Sequence, residues 1–243
     1  MQKRKGAFEK KMRARFFQGV RHGVPIALGY LSVSFAFGIQ AVSVGLSPMM
    51  AVLISMTNVT SAGQLAGINL MAVGAPLTEM ALTQLTINLR YALMSLSLSQ
   101  HLDKSMTTPH RMGFAFCNTD EIFAVASSQP QKVGKWYLYG LMLTPYIGWT
   151  LGTLLGAVAG SLLPQFLITA LGIAIYGMFL AIIIPPSRKH RPVCAVVLLS
   201  AALSLCFRYV PGLNRVSAGY VIILCAVAAS CMGALLFPIK EGE

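Results

Sequence analysis

Apolar positions in this chain fall into long runs separated by short polar breaks. Runs at roughly 22–44, 49–73, 77–100, 136–161, 165–184, 193–209 and 216–237 each approach or exceed the ~17–25 residues that an α-helix needs to cross a hydrocarbon layer. A shorter, more polar stretch lies at 112–129. Helix-stopping residues stand between the runs: Gly45-Leu-Ser-Pro48, Gly74-Ala-Pro76, Leu163-Pro164, Pro185-Pro186 and Pro211-Gly212. Each predicts a stop and a turn. Two stretches are interrupted from within. Run 49–73 carries Asn58, Thr60, Ser61, Gly63, Gln64, Gly67 and Asn69, and 112–129 carries Asn118, Asp120 and Glu121. These two predict broken or re-entrant helices, which a membrane tolerates only where protein or a cavity shields the backbone.

Composition identifies the solvent. Residues 22–78 and 136–187, 57 and 52 positions, contain no Asp, Glu, Lys or Arg. Only 11% of the chain is charged and 56% is hydrophobic, against about 25% and 45–50% in soluble domains, which leaves too little polar surface to cover so many apolar helices in water. The expectation is an all-α, polytopic helical membrane protein of the inner or plasma membrane type. Five scattered cysteines, Cys117, Cys194, Cys206, Cys225 and Cys231, read as small hydrophobes, not as disulfides or metal ligands.

The formal charge of +12 is concentrated at one end. Residues 1–21 hold Lys3, Arg4, Lys5, Lys10, Lys11, Arg13, Arg15 and Arg21 against Glu9 alone, so seven of the twelve net charges precede the first apolar run. This is the positive-inside pattern. It predicts a basic cytoplasmic N-terminal tail over 1–21, followed by one helical membrane transport domain over 22–239. The run from Gly23 is too long for a cleaved signal and no small-residue cleavage site follows, so it reads as a retained span. No basic patch with interleaved aromatics recurs beyond the tail, which argues against a nucleic-acid partner. The loops at 130–135 (Lys132, Lys135) and 185–192 (Arg188, Lys189, Arg191) are also basic and are expected on the cytoplasmic side. An even number of crossings must then separate residue 22 from residue 130. Six full crossings with two partial ones satisfies this parity, as does eight, and both place the two termini in the cytoplasm.

An ionisable residue inside a span costs roughly 2.5–3.5 kcal/mol on insertion scales, so each one calls for an explanation. Arg90 sits 13 residues into the run that begins at Leu77, next to Asn88 and Tyr91. Its guanidinium suits a substrate carboxylate through two parallel hydrogen bonds; a structural ion pair is the plainer role. In Asn118-Thr119-Asp120-Glu121, Asn118 and Glu121 have the spacing of a helix cap, and acids in a first turn are favoured by the helix dipole. The same acids could compensate Arg90, hold an ammonium or carry a proton. Glu79 is too far along the same helix, about 16 Å by the helical rise, to pair with Arg90 directly and reads as facing headgroups. The third feature is the polar interruption Thr60-Ser61-Ala62-Gly63-Gln64, which suits either ligand contact at a broken helix or close helix packing. The aromatics Tyr30, Tyr91, Trp136, Tyr137, Tyr139 and Tyr209 lie within or near the ends of the runs, some of them where an interface belt is expected, and the histidines fall in or beside predicted loops. No nucleophile elbow, P-loop, dinucleotide fingerprint or HExxH occurs, so neither an enzyme nor a cofactor or metal site is predicted. A sparse internal echo pairs Tyr30 and Pro48 with Tyr146 and Pro164, and Arg90-Tyr91 with Arg208-Tyr209, as a transporter repeat would.

Four features together carry a family resemblance: Pro25 with Phe35-Ala36-Phe37-Gly38; Ser61-Ala62-Gly63-Gln64; Asn88 with Arg90-Tyr91; and Phe116 through Thr119-Asp120-Glu121 to Phe123-Ala124. From about Gly19 onward the chain resembles the large subunit of the AzlC-type branched-chain amino-acid exporters. Thr57-Asn58-Val59-Thr60 departs from the aromatic and small residues of that pattern. The resemblance implies export of branched-chain or related small apolar amino acids, with no cofactor, together with a small AzlD-type membrane subunit. Arg90, Asp120, Glu121, Asn88, Ser61, Gly63 and Gln64 would then be the substrate-binding or coupling residues. A proton is the expected coupling ion, since no nucleotide-binding motif is present. The alternative is a non-transporting membrane assembly or structural subunit, in which Arg90 and Asp120 are structural.

Overall fold

The structure, a computed structural model, describes residues 2–160, 162–164, 166, 177, 179–180 and 183–238. The run expected at 165–184 lies almost wholly outside the described residues, as does the C-terminal end at Glu243. Nine α-helices occur among the described, named elements: α1 Gln2–Ser43, α2 Pro48–Thr57, α3 Ala62–Ala72, α4 Leu77–Ser99, α5 Thr108–Ala115, α6 Asp120–Ser127, α7 Lys135–Ala159, α8 Arg191–Tyr209 and α9 Ala218–Leu236. A short 3₁₀ turn, Leu213–Arg215, precedes α9. The chain is all-α and polytopic, and four of these helices are long and apolar enough to cross a membrane: α1, α7, α8 and α9. α8 makes the point most plainly. It is apolar along its length yet has no buried residue, an arrangement stable only where the surroundings are themselves apolar.

Both interrupted stretches are broken as expected. The run 49–73 divides into α2 and α3 around 58–61, and 112–129 divides into α5 and α6 around 116–119. At the first break Asn58 ends α2 in extended conformation and its Oδ1 accepts the Thr60 hydroxyl at 2.7 Å, while Ser61 takes a left-handed φ of 41°. Gly45, Gly74 and Gly212 all have positive φ, so the predicted turns fall where glycine permits them. Two boundaries differ from expectation. From Gln2 onward the basic segment is helical and continuous with the first apolar run, forming the first half of α1, because Lys, Arg, Gln, Met and Ala are good helix formers whether or not they are apolar. Residues 183–189 are helical through Pro185 and Pro186, and the break comes at His190.

Two compact units organise the chain: Met1–Gln64 with Asn88–Gly172, and Leu65–Ile87 with Ile173–Glu243. In the first, α1 and α7 pack along most of their length. Gly19 lies on the Tyr137 carbonyl, Gly148 on that of Ala27, Gly156 on that of Phe35, and Gly38 on that of Thr153, so both helices advance together and run parallel. The contact is paved on α7 at four-residue intervals by Gly140, Thr144, Gly148, Gly152 and Gly156, the small-residue spacing that lets membrane helices approach backbone to backbone. A β-carbon on Gly156 would collide with the Phe35 backbone. Pro145 cannot donate to the Leu141 carbonyl, and Gly23 of α1 rests against that freed oxygen.

Against this pair, α2 runs back along α7: Ser55 Oγ lies 2.7 Å from Thr153 Oγ1, and one residue later the Met56 carbonyl accepts the Tyr146 hydroxyl at 3.0 Å. Helices α5 and α6 form a hairpin that enters and leaves at one end of the α1–α7 pair. His110 in α5 bonds the Tyr139 hydroxyl at 2.8 Å near the start of α7 and Phe116 packs on Tyr146 further along. After α6 the chain returns to Gln131, which accepts Arg15 Nη2 at 3.2 Å. The segment 112–129 is therefore re-entrant. In the second unit α8 packs on α9, and the start of α9 is held by Glu79 of α4, whose Oε1 accepts the Ser217 hydroxyl at 2.5 Å and the Gly219 N–H at 2.9 Å.

Candidate functional site

The re-entrant tip, residues 116–119, brings the acidic turn to the middle of the first unit. α4 carries Arg90 past it, and Arg90 Nη1 meets Asp120 Oδ2 at 2.8 Å. This is the only ion pair among the described residues. The side chains keep 42% and 35% exposure respectively, so the pair is open on one side and not sealed in the core. Arg90 Nη2 also donates to the Tyr91 hydroxyl at 3.2 Å, and its guanidinium lies 4.9 Å from the centre of that ring. The cation is thus fixed from two sides with further N–H groups to spare.

Glu121 takes a different partner. The Tyr30 hydroxyl from α1 lies 2.5 Å from Glu121 Oε2 and 2.6 Å from Thr119 Oγ1. A phenol has one proton; given to the carboxylate, it leaves the Thr119 hydroxyl to donate in turn to Tyr30. The ring of Tyr30 packs edge-on against Trp149, with Val59 from the first break completing the cluster. Tyr146, its partner in the sequence echo, likewise reaches both interrupted segments, through the Met56 carbonyl in the last turn of α2 and through Phe116. Two tyrosines on the parallel α1 and α7 thereby tie the broken segments to the rigid pair.

The remaining predicted residues divide. Gln64 is buried and donates Nε2 to Ser55 Oγ at 3.0 Å, which continues to Thr153, so the polar interruption is anchored by a buried chain of hydrogen bonds. Its Oε1 has no partner among the described residues. Ser61 forms the left-handed turn, Gly63 is buried at the start of α3, and Asn88 is half-buried two residues before Arg90.

Several sequence expectations are corrected. Asn118 does not cap α6; its Nδ2 donates to Ser95 Oγ at 3.0 Å while Oδ1, buried, has no described partner, and Thr119 holds the N-cap position without a side-chain cap bond. Glu121 is engaged by Tyr30 and not by a cap. Glu79 does not face headgroups, being 2% exposed and bonded to the start of α9. Tyr30 is a buried centre residue, not an interface aromatic, and His22 and His110 lie within α1 and α5. Reasoning from sequence missed Tyr30 as a site residue; the echo with Tyr146 was the one signal pointing to it.

The pattern of the AzlC protein family matches residues 25–163, a span that includes both helix breaks, Arg90 and the acidic turn. The chain is 28% identical over 236 residues to the inner membrane protein YgaZ of Escherichia coli (strain K12), covering 94% of this chain and 93% of that protein. It is 33% identical over 225 residues to an uncharacterized membrane protein of Archaeoglobus fulgidus, covering 92% and 94%. The branched-chain amino acid transport protein AzlC of Bacillus subtilis (strain 168) is 26% identical over 174 residues, 67% of each chain. No solved structure matches the chain significantly. A family pattern covering more than half of the sequence, and a relative one-third identical over nearly all of it, establish that the chain belongs to the AzlC protein family.

Proposed function

We propose that this protein is a secondary transporter that exports branched-chain or related small apolar amino acids across the plasma membrane, driven by the proton gradient. The observation that carries the reading is the half-open Arg90–Asp120 pair beside a re-entrant tip. An amino acid is a zwitterion. Its carboxylate needs a cation, its ammonium needs an anion or carbonyl, and its side chain needs an apolar wall. Arg90 and Asp120 supply both charges and neutralise each other while the site is empty, so neither is left uncompensated in an apolar surrounding. On binding, the substrate carboxylate takes the free N–H groups of Arg90 and the ammonium takes Asp120, with the buried Asn118 Oδ1 two residues away as a neutral acceptor. Tyr30, held on Glu121, keeps the acidic turn in place, and Glu121 is the candidate proton carrier.

The same reading sets the topology. α1 and α7 run parallel, and Arg15 lies on Gln131, so the two basic segments share one side, which the positive-inside rule assigns to the cytoplasm. The re-entrant α5–α6 hairpin does not cross, and with α2–α3 also partial the reading keeps the six full crossings expected from the sequence, the run 165–184 counted among them on its sequence alone, with both termini cytoplasmic. Residues 22–239 act as one transport domain, working with a small AzlD-type membrane subunit. The relative from Bacillus subtilis named for branched-chain amino acid transport supports the substrate class.

The deciding experiment is flux from proteoliposomes loaded with labelled leucine, isoleucine or valine, with and without the small subunit, under an imposed pH gradient. Gradient-driven release of at least one of the three is the expected result. Release indistinguishable from empty vesicles for every amino acid, with and without the subunit, would overturn the assignment in favour of a non-transporting membrane subunit.

A further inference from the structure

A second feature of the first unit lies away from the Arg90 site, at the end where α1 begins. A cavity of about 820 Å³ opens between the first turns of α7, the α6–α7 loop, the segment around Asp103 and the flank of α1. Lys11, Arg15, Lys132 and Lys135 line it against one acid, Asp103. That acid is already committed: Asp103 Oδ1 accepts the Ser105 N–H at 2.7 Å and the Ser105 hydroxyl at 2.6 Å. Among the described residues none of the four cations is paired with a carboxylate. Arg15 is held in place by the amides of Gln18 and Gln131, each at 3.2 Å, and the Lys135 ammonium lies 5.4 Å from the Trp136 ring centre. Four cations gathered around one concavity repel one another, and an anion relieves that repulsion.

The surface beside the cavity says which anion. Trp136 lines the cavity and is 39% exposed. At about 100° per residue, Leu143, Ile147, Leu154 and Val158 fall on the same face of α7 as Trp136, and all four are exposed. A basic cavity capped by a tryptophan therefore passes directly into an apolar stripe along the same helix. A free phosphate would use the first and leave the second bare. A phospholipid uses both, with its charged headgroup in the basic cavity and its acyl chains along the stripe.

We infer that this cavity binds the headgroup of an anionic phospholipid from the leaflet on the α1 N-terminal side. The site is independent of the transport reading, because binding can be measured without flux. The test uses the purified full-length protein in neutral detergent, titrated with phosphatidylglycerol, with phosphatidylcholine, and with inorganic phosphate at matched concentration, reading the unfolding temperature. Phosphatidylglycerol is expected to raise it saturably and the other two not. Lys132→Gln with Lys135→Gln should weaken the apparent affinity for phosphatidylglycerol roughly tenfold or more. Arg188→Gln with Lys189→Gln removes as much charge from an exposed helical segment away from the cavity's lining and should leave the affinity within about twofold. Lys132 is exposed, so Lys132→Gln alone serves if the double variant is not monodisperse. Equal stabilisation by phosphatidylcholine, or equal weakening by the Arg188/Lys189 variant, would refute a specific site. Protection by inorganic phosphate as strong as by the lipid would assign the cavity to a soluble anion instead.

Discussion

Arg90 and Asp120 meet at 2.8 Å from two helices that reach the site by different routes, one a long continuous helix and the other the return limb of a re-entrant hairpin. Because both side chains stay more than one-third exposed, the pair contributes little to stability, on the order of 1 kcal/mol or less. Its placement beside a helix break is therefore better explained by ligand chemistry than by folding. Arg90→Lys keeps the charge and loses the planar fork. Transport is expected to fall by roughly one to two orders of magnitude with expression and unfolding temperature nearly unchanged. Normal flux with lowered expression would make the pair structural. Asp120→Asn tests the other half and should raise the apparent KM for the amino acid.

Tyr30→Phe removes a single hydroxyl and leaves the packing on Trp149 intact. Glu121 and Thr119 then lose their shared partner, so a destabilisation of about 1–2 kcal/mol is expected together with reduced flux. Tyr146→Phe loses only the bond to the Met56 carbonyl and should cost about 1 kcal/mol. Thermal unfolding of both variants in one detergent ranks them; equal effects would show that the Tyr30 hydroxyl has no special place.

The α1–α7 contact predicts a sharp positional contrast among glycines. Gly156→Ala drives a methyl into the Phe35 backbone and should destabilise by roughly 1–3 kcal/mol, seen as lost monodisperse yield. Gly29→Ala, in the partner helix α1, meets nothing within 4 Å, so yield should be unchanged or slightly higher. Two equally tolerated substitutions would contradict the close parallel packing.

Glu79→Ala leaves the Ser217 hydroxyl and the Gly219 N–H without their acceptor at the start of α9, a loss of about 1–3 kcal/mol. Glu79→Gln retains an acceptor oxygen and should keep most of the stability. If both lower the unfolding temperature equally, the negative charge at the helix start matters more than the hydrogen bonds.

Arg15→Cys and Gln131→Cys, introduced singly, should be modified by a membrane-impermeant thiol reagent from the same side, because the two native side chains touch. Protection of one from the side that labels the other would break the parity on which six crossings rest.

Length and polarity of the runs are properties of each segment by itself, and the cost of a polar group in hydrocarbon is paid residue by residue. The sequence alone therefore determined the all-α membrane class, both helix interruptions, the glycine turns, and the need of Arg90 for a counter-charge. It narrowed that counter-charge to the acidic turn, since few acids exist to choose from. Partner choice within the turn was beyond it. Asp120 faces α4 and Glu121 faces α1 because consecutive residues in a helix point about 100° apart, and which neighbour waits on each side depends on where the hairpin tip stops along α1 and α7. That level is set by the glycine-paved parallel contact and by Tyr30 and Tyr146, which join residues far apart in sequence. Glu79 shows the same limit: an acid near the start of an apolar run reads as facing headgroups until packing of the second unit puts the start of α9 against it.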